Sequence, residues 1–251
     1  MYAAGLTAVG LARNNNEDAI FYTTKPIGPL PNLFIVADGM GGHNAGEVAS
    51  QKSLEYCYDF IRNAPVDDCT SPEDALDFLV TATLEANKNV FEYAVSDPAL
   101  RGMGTTFSAC VVLGDTLAMA HIGDSRIYTI GTNGITQITI DHTYVEEMVQ
   151  SGNLTPDQAR AHPRRNQITR VLGFEPDISA DGGLFELRDV RSILLCSDGL
   201  NNMLTDDTIM RLVNLHAPAE ARVQALIDAA NSQGGKDNIS AIIIDVKGET
   251  N

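Results

Sequence analysis

Apolar positions along the chain follow two rhythms. Short runs rich in β-branched residues occupy 110–113, 116–120 and 126–130, separated by the turn pairs Gly114-Asp115 and Gly123-Asp124. Two-residue turns of this kind join antiparallel neighbours, so each predicts a hairpin. Residues 183–187 and 192–196, joined through 188–191, repeat the arrangement. Further strands are expected at 19–22, from Leu33 to an end at Asp38, and at 239–246.

The other rhythm is helical. One helix is expected at 44–62. A second opens with Ser71 as N-cap, Pro72 at the first helical position and Glu73 and Asp74 in the first turn, then sets Leu76, Leu79, Val80, Leu84, Val90 and Phe91 on one face. A later pair begins at Thr205, with Ile209, Leu212 and Val213, and at Pro218, with Val223, Leu226 and Ile227, ending near Gly234-Gly235. In a polar excursion between them, Thr155-Pro156-Asp157-Gln158 reads as the capping box of a short helix. Helices come in pairs rather than between successive strands, which argues against a doubly wound parallel sheet. The expected fold is α+β: two antiparallel β-sheets packed as a central sandwich, flanked by antiparallel helix pairs.

At 251 residues the chain can bury a large core, and neither a linker-like stretch nor an internal repeat divides it, so a single domain over 1–251 is expected. The start MYAAGLTAVGLARNNNED lacks a basic leader and a long leucine-rich stretch, and no secretory signal is expected. No run approaches the ~18 to 20 apolar residues that cross a bilayer. Cys57, Cys69, Cys110 and Cys196 form no CxxC pair, as expected of free thiols in a reducing cytoplasm. Acidic residues outnumber basic ones 33 to 17, a formal charge of -16 that repels nucleic acid and anionic lipid. The expectation is a cytoplasmic protein without nucleic-acid partners or membrane insertion, taken as a monomer.

The acidic excess changes meaning with the placement of four aspartates. The run Leu33-Phe34-Ile35-Val36-Ala37 leads into Asp38-Gly39-Met40-Gly41-Gly42-His43. Alone, aspartate-glycine after a strand is an ordinary turn. Two phosphate-site templates fail here: Asn44 occupies the third glycine position of GxGxxG, and no GK[ST] follows. The pattern recurs where Ile193-Leu194-Leu195-Cys196 leads into Ser197-Asp198-Gly199. A third aspartate stands in Gly123-Asp124-Ser125-Arg126 and a fourth in Gly234-Gly235-Lys236-Asp237-Asn238. If these groups converge, their repulsion raises their pKa values and destabilises the fold unless cations neutralise them.

Every candidate ligand is a carboxylate or a backbone carbonyl, which suits Mn2+ or Mg2+ rather than zinc, and no EF-hand loop points to calcium. Two such ions about 3.5 to 4 Å apart can hold a hydroxide between them and neutralise the oxygens of an in-line displacement at phosphorus. Near the N-terminus, Arg13 offers a fork that suits a phosphate dianion. Glu17 and Asp18 are then placed to hold metal waters or orient Arg13. The same segment taken alone also reads as a solvated polar turn.

Together these pieces resemble the metal-dependent protein phosphatases of the PPM (type 2C) family in their bacterial form. The matching motifs occur in family order: the segment from Arg13 to Asp18, DGMGGHNAGE from Asp38, Gly104-Thr105-Thr106, GDSR from Gly123, Asp141-His142-Thr143, TRVLG from Thr169, Ser197-Asp198-Gly199-Leu200, and GGKDN from Gly234. They span nearly the whole chain. The resemblance implies a serine/threonine phosphomonoester hydrolase in which a metal-bridging water or hydroxide attacks phosphoserine or phosphothreonine. It implies that Asp38 bridges two central metals, with the Gly39 carbonyl on one and Asp198 and Asp237 on the other. Asp124 would join Asp198 at a third, weaker ion. Arg13 would bind the substrate phosphate, Glu17, Asp18 and Asn238 would lie behind the ligands, and residues 141–170 would form a flap. The partners implied are phosphorylated proteins, the substrates of a serine/threonine kinase.

One position departs from some relatives. Where they carry a histidine after aspartate-glycine as proton donor to the leaving alcohol, this chain has Met40. His43 is a doubtful substitute, equally readable as a structural residue of the glycine loop, and a metal-bound water is as good a candidate. Arg160, His162, Arg164 and Arg165 form a basic cluster that reads either as a dock for phosphorylated segments or as a solvated helix end. The rival functions are a catalytically inactive phosphoprotein-binding regulatory domain on the same fold and a two-metal nuclease or phosphodiesterase, the latter at odds with the charge.

Overall fold

The computed structural model describes residues 1–42, 45–65, 69–131 and 134–246. The described chain runs β1 (Tyr2–Ala8), β2 (Asp18–Thr23), β3 (Leu33–Met40), α1 (Ala45–Asn63), α2 (Pro72–Ser96), a 3-10 turn at Pro98–Leu100, β4 (Gly104–Thr105), β5 (Phe107–Leu113), β6 (Thr116–Ile122), β7 (Arg126–Gly131) and β8 (Ile135–Gln137). It continues with α3 (Tyr144–Gln150), α4 (Pro156–Arg160), β9 (Asp181–Glu186), β10 (Val190–Cys196), α5 (Asp198–Asn201), α6 (Asp206–Val213), α7 (Ala219–Ser232) and β11 (Ile239–Asp245). One sheet has the order β1-β11-β10-β7-β8 and the other β2-β3-β5-β6-β9, with β4 beside the end of β3; every pairing is antiparallel.

Side chains alternate across each strand, and this period of two builds three apolar layers. In β10 and β11, Ile193, Leu195, Ile242 and Ile244 meet Phe34, Val36, Leu117 and Met119 between the sheets. Their neighbours Leu194, Cys196, Ala241 and Ile243 face outward beneath Leu226, Ile227 and Val223 of α7. On the other flank, Leu33, Ile35 and Val111 face α1 and α2. Each fully buried leucine or isoleucine contributes about 2 kcal/mol, so an acidic residue at Ile242, in the central layer, would break the sandwich. The α2 cap forms as its sequence predicts: Ser71 accepts from Asp74 N at 3.1 Å, and the Asp74 carboxylate accepts from Ser71 N at 2.9 Å.

Two predicted hairpins do not form. Gly123-Asp124 carries the chain from β6 in one sheet to β7 in the other, and residues 187–189 make the same crossing from β9 to β10. Local turn chemistry cannot distinguish a hairpin from a sheet switch. That choice is made by the inward residues on both sides, such as Met119 and Ile127, which both join the central layer. The run from Leu33 also passes through Asp38 rather than ending there, because Gly39 and Met40 pair with Thr105 and Gly104. Among the described residues no helix is long and apolar enough to cross a membrane.

Candidate active site

The two sheets meet at one end around Asp18, which lies directly opposite Asp38 in the β2–β3 register. Like charges so placed repel, and burial makes the repulsion worse. The fold holds them with hydroxyls. Ser197 Oγ and Ser240 Oγ, both from the other sheet, each donate to Asp18 Oδ2 at 2.7 Å. Ser197 is the N-cap residue of α5, yet its side chain caps nothing because it is turned to Asp18. Burial foremost, with the fields of Asp198 and Asp237, pushes the Asp18 carboxyl up to about 7 despite the two hydroxyls.

Asp38 is fixed through its backbone. Its N donates to Thr106 Oγ1 at 2.9 Å and its carbonyl accepts from Thr106 N at 2.8 Å. Thr106 Oγ1 in turn lies 2.7 Å from Ser125 Oγ, tying this strand to the loop that carries Asp124. The residue is half-buried, but its carboxyl is hemmed in by protein: desolvation first, then Asp18, Asp198, Asp124 and Asp237, raise its pKa well above the carboxylate range. Asp124 is raised in the same way by burial, Asp198 and Asp141, against the pull of Arg126. Asp198 opens α5 and is pushed up to about 6 by burial foremost and then by Asp237, and its own charge raises Asp38 in turn. Carboxyl groups that raise one another in this way are relieved by a bound proton or by a cation.

Asp237 is brought in by backbone contact. A Cβ on Gly199 would stand 1.9 Å from Asn238 O, so only glycine lets the Asp198 turn lie against the Asp237-Asn238 loop. Buried Asn238 stitches that loop to the N-terminal segment: Nδ2 donates to Val9 O at 2.9 Å and Asn15 O at 2.8 Å, and Oδ1 accepts from Glu17 N at 2.9 Å. Glu17 O accepts from Gly39 N at 3.1 Å. Arg13 reaches Asp237 Oδ2 at 2.8 Å with its side chain 48% exposed, and also feels Glu17 and Asp38. The Glu17 carboxyl is raised by burial, opposed by Arg13.

A family model described as Protein phosphatase 2C matches residues 12–242. The chain belongs to the protein phosphatase 2C family. It is 38% identical over 240 residues to the serine/threonine protein phosphatase PstP of Mycobacterium tuberculosis, a match covering 94% of this chain and 43% of that protein, so it spans less than half the length of that relative. The crystal structure of the serine/threonine phosphatase Stp1 from Staphylococcus aureus superposes with a TM-score of 0.90 at 32% identity, covering 98% of this chain and 95% of the other. The catalytic domain of PstP in complex with two manganese ions superposes with a TM-score of 0.82 at 32% identity, covering 97% of each chain.

The donor set of this protein phosphatase 2C chain fits hard divalent cations. Asp18 Oδ1 and Asp198 Oδ1 are buried with no hydrogen-bond partner, an arrangement that costs several kcal/mol for a bare carboxylate. Among the described residues no three Asp, Glu, His or Cys side chains are packed tightly enough to surround a single ion by themselves. Mn2+ and Mg2+ complete their shells with carbonyl oxygen and water and so do not need a closed cage of side chains. A cavity of about 510 Å3 lined by Tyr2, His216, Pro218, Arg222 and Asp245 shares no residue with it and is not the reaction site.

Of the residues singled out from sequence, Arg13, Glu17, Asp18, Asp38, Gly39, Asp124, Asp198, Asp237 and Asn238 come together. His43 lies outside the described residues. Ser240 and the link between His142 and Gly123 escaped the sequence reading. A serine in the otherwise apolar run of β11 was the available signal for the first.

Proposed function

We propose that this chain is a metal-dependent phosphatase that hydrolyses phosphoserine and phosphothreonine monoesters in proteins, the substrates of a serine/threonine kinase. The observation that carries it is the group of four aspartates, Asp18, Asp38, Asp124 and Asp198, whose carboxyl groups are raised by burial and by their neighbours' charge, with two orphaned oxygens, beside Asp237 and one solvent-reaching arginine. In this reading two Mn2+ or Mg2+ ions would be held by Asp38, the Gly39 carbonyl, Asp198 and Asp237, and a third, weaker one by Asp124 and Asp198. Bound cations would supply water of lowered pKa and offset charge on the phosphoryl oxygens.

The remaining work falls to the chain's own residues. Arg13 spends one edge of its fork on Asp237, and its exposed remainder can take a phosphate dianion by parallel hydrogen bonds. Glu17, Asp18 and Asn238 hold the ligand-bearing loops in place. A thiol nucleophile is excluded for Cys57 and Cys196, which burial pushes up to about 12, and for Cys110, raised further still. We place the protein in the cytoplasm as a monomer, with residues 141–170 as a flap beside the site.

Release of phosphate from phosphoserine and phosphothreonine peptides tests this. Activity is expected with Mn2+ or Mg2+, none with chelator, and none for Asp198→Ala. Equal release in the presence of chelator would refute the proposal.

A further inference from the structure

Gly123 and His142 exchange two hydrogen bonds across the start of the 141–170 segment. His142 N donates to Gly123 O at 2.7 Å, and Gly123 N donates to His142 Nδ1 at 3.0 Å. Gly123 has φ +103, and a Cβ there would lie 2.6 Å from the Thr106 side chain, so only glycine fits at this point of the loop. The imidazole is buried and lies against His121, ring centroids 4.9 Å apart. Its Nε2 is 3.1 Å from Asp181 Oδ2, close though off the best line, and Asp181 accepts from Arg170 Nη1 at 2.6 Å. Because an amide donates to Nδ1, that atom carries a lone pair and the proton sits on Nε2, facing Asp181.

The main chain around His142 reaches the other end of the segment. Thr169 N donates to His142 O at 2.8 Å, and Tyr144 N donates to Gln167 O at 2.9 Å. The preceding Asp141 takes the Arg126 fork, Nε to Oδ1 at 2.9 Å and Nη2 to Oδ2 at 2.7 Å.

We propose that His142 is a positioning residue whose neutral imidazole clamps Gly123, and therefore Asp124, to both ends of the 141–170 segment. Cation binding at Asp124 and ordering of that segment are then coupled. The coupling rests on Asp124 being a cation ligand; the clamp itself does not. Linkage makes the effect reciprocal: an ion at Asp124 protects the segment, and loosening His142 weakens the ion.

Two variants separate the clamp from mere bulk. His142→Leu keeps most of the volume and removes the acceptor, whereas His142→Asn returns an oxygen to the place of Nδ1. Hydrogen exchange of the cation-free protein and Mn2+ titration by calorimetry are the readouts. His142→Leu should exchange faster at 123–125 and at 141–170, leave 107–113 protected, and weaken the weakest Mn2+ site about tenfold. His142→Asn should recover most of both losses. Unchanged exchange at 123–125 in His142→Leu, loss of protection at 107–113, or an Asn variant as impaired as the Leu variant would each overturn the clamp. Absence of Mn2+ binding by the wild type would overturn the catalytic reading and the coupling, while the exchange pattern still decides the clamp.

Discussion

Two buried carboxylate sites sit at different places on β11 and its neighbours, and they are built on opposite principles. At Asp245, both Nη groups of Arg222 bind the carboxylate, Ser192 Oγ donates to it at 2.7 Å, and Arg222 Nη1 also reaches Val213 O at 2.9 Å. Apart from Arg222 Nε, the charges there are matched. Around Asp38 the neighbours of each carboxylate are other carboxylates, the fork of Arg126 is committed to Asp141, and Arg13 meets only the rim. A fold that needs a buried charge only for its own structure supplies the opposite charge itself. Carboxylates left to repel one another mark where charge is to come from outside.

The largest expected effect breaks the second site. Asp38→Asn should lower cation-dependent phosphopeptide hydrolysis on the order of a thousandfold, the scale of losing a major electrostatic element of a transition state. The cation-free variant at pH 7.5 should melt higher than wild type, because one of several repelling charges is gone. Activity within tenfold of wild type would remove Asp38 from the reaction.

Breaking the first site should do the reverse. Asp245→Ala leaves Arg222 buried without its partner, a loss of about 3 kcal/mol. For a chain of this size that lowers the melting temperature by roughly 10 °C, measured by calorimetry. Turnover below both transitions should match wild type. A drop in turnover with unchanged melting would show that the contrast between the two sites is false.

Much of this contrast was legible in the chain. Asp38 and Asp198 stand out because each sits where an apolar run gives way to glycine, and Asp237 because it stands between Gly234-Gly235 and the apolar run from Ile239; such local patterns survive folding. The N-cap at Ser71 and the capping box at Thr155 likewise formed as read, and the structure completes the first into a capping box through Asp74. What was not legible depends on contacts between distant residues. The sheet switch at Gly123 looks like a hairpin until Met119 and Ile127 are seen to share the central layer. Strand β1 is only mildly apolar, and it is secured by its pairing with β11, from Tyr2 opposite Asp245 to Ala8 opposite Ile239. The one-turn helix α5 owes its place to the approach of Gly199 to Asn238, which no local propensity encodes.

The smallest expected effect is in pH, and its sign follows from the acidic site. Asp18 and Asp198 have folded pKa values of about 7 and about 6, above their ordinary value of 3.8. The folded protein therefore holds protons that the unfolded chain has released. That stability is fully present below about pH 4 and is lost as pH rises through 6 to 7. Between pH 5 and 7.5 the cation-free protein should lose stability from this source, because both groups shed their protons across that range. Buried His121, lowered to about 3, works the other way: its contribution is full above about 6.5 and fades as pH falls toward 3. The two are separated by comparing wild type with Asp18→Asn in urea unfolding across pH 5 to 7.5. The variant should have the flatter profile, and saturating Mn2+ should flatten the wild-type profile as well, because the ions replace the protons. Parallel profiles for the two proteins would show that Asp18 carries its charge without penalty, and the matched and unmatched sites would then differ in composition alone.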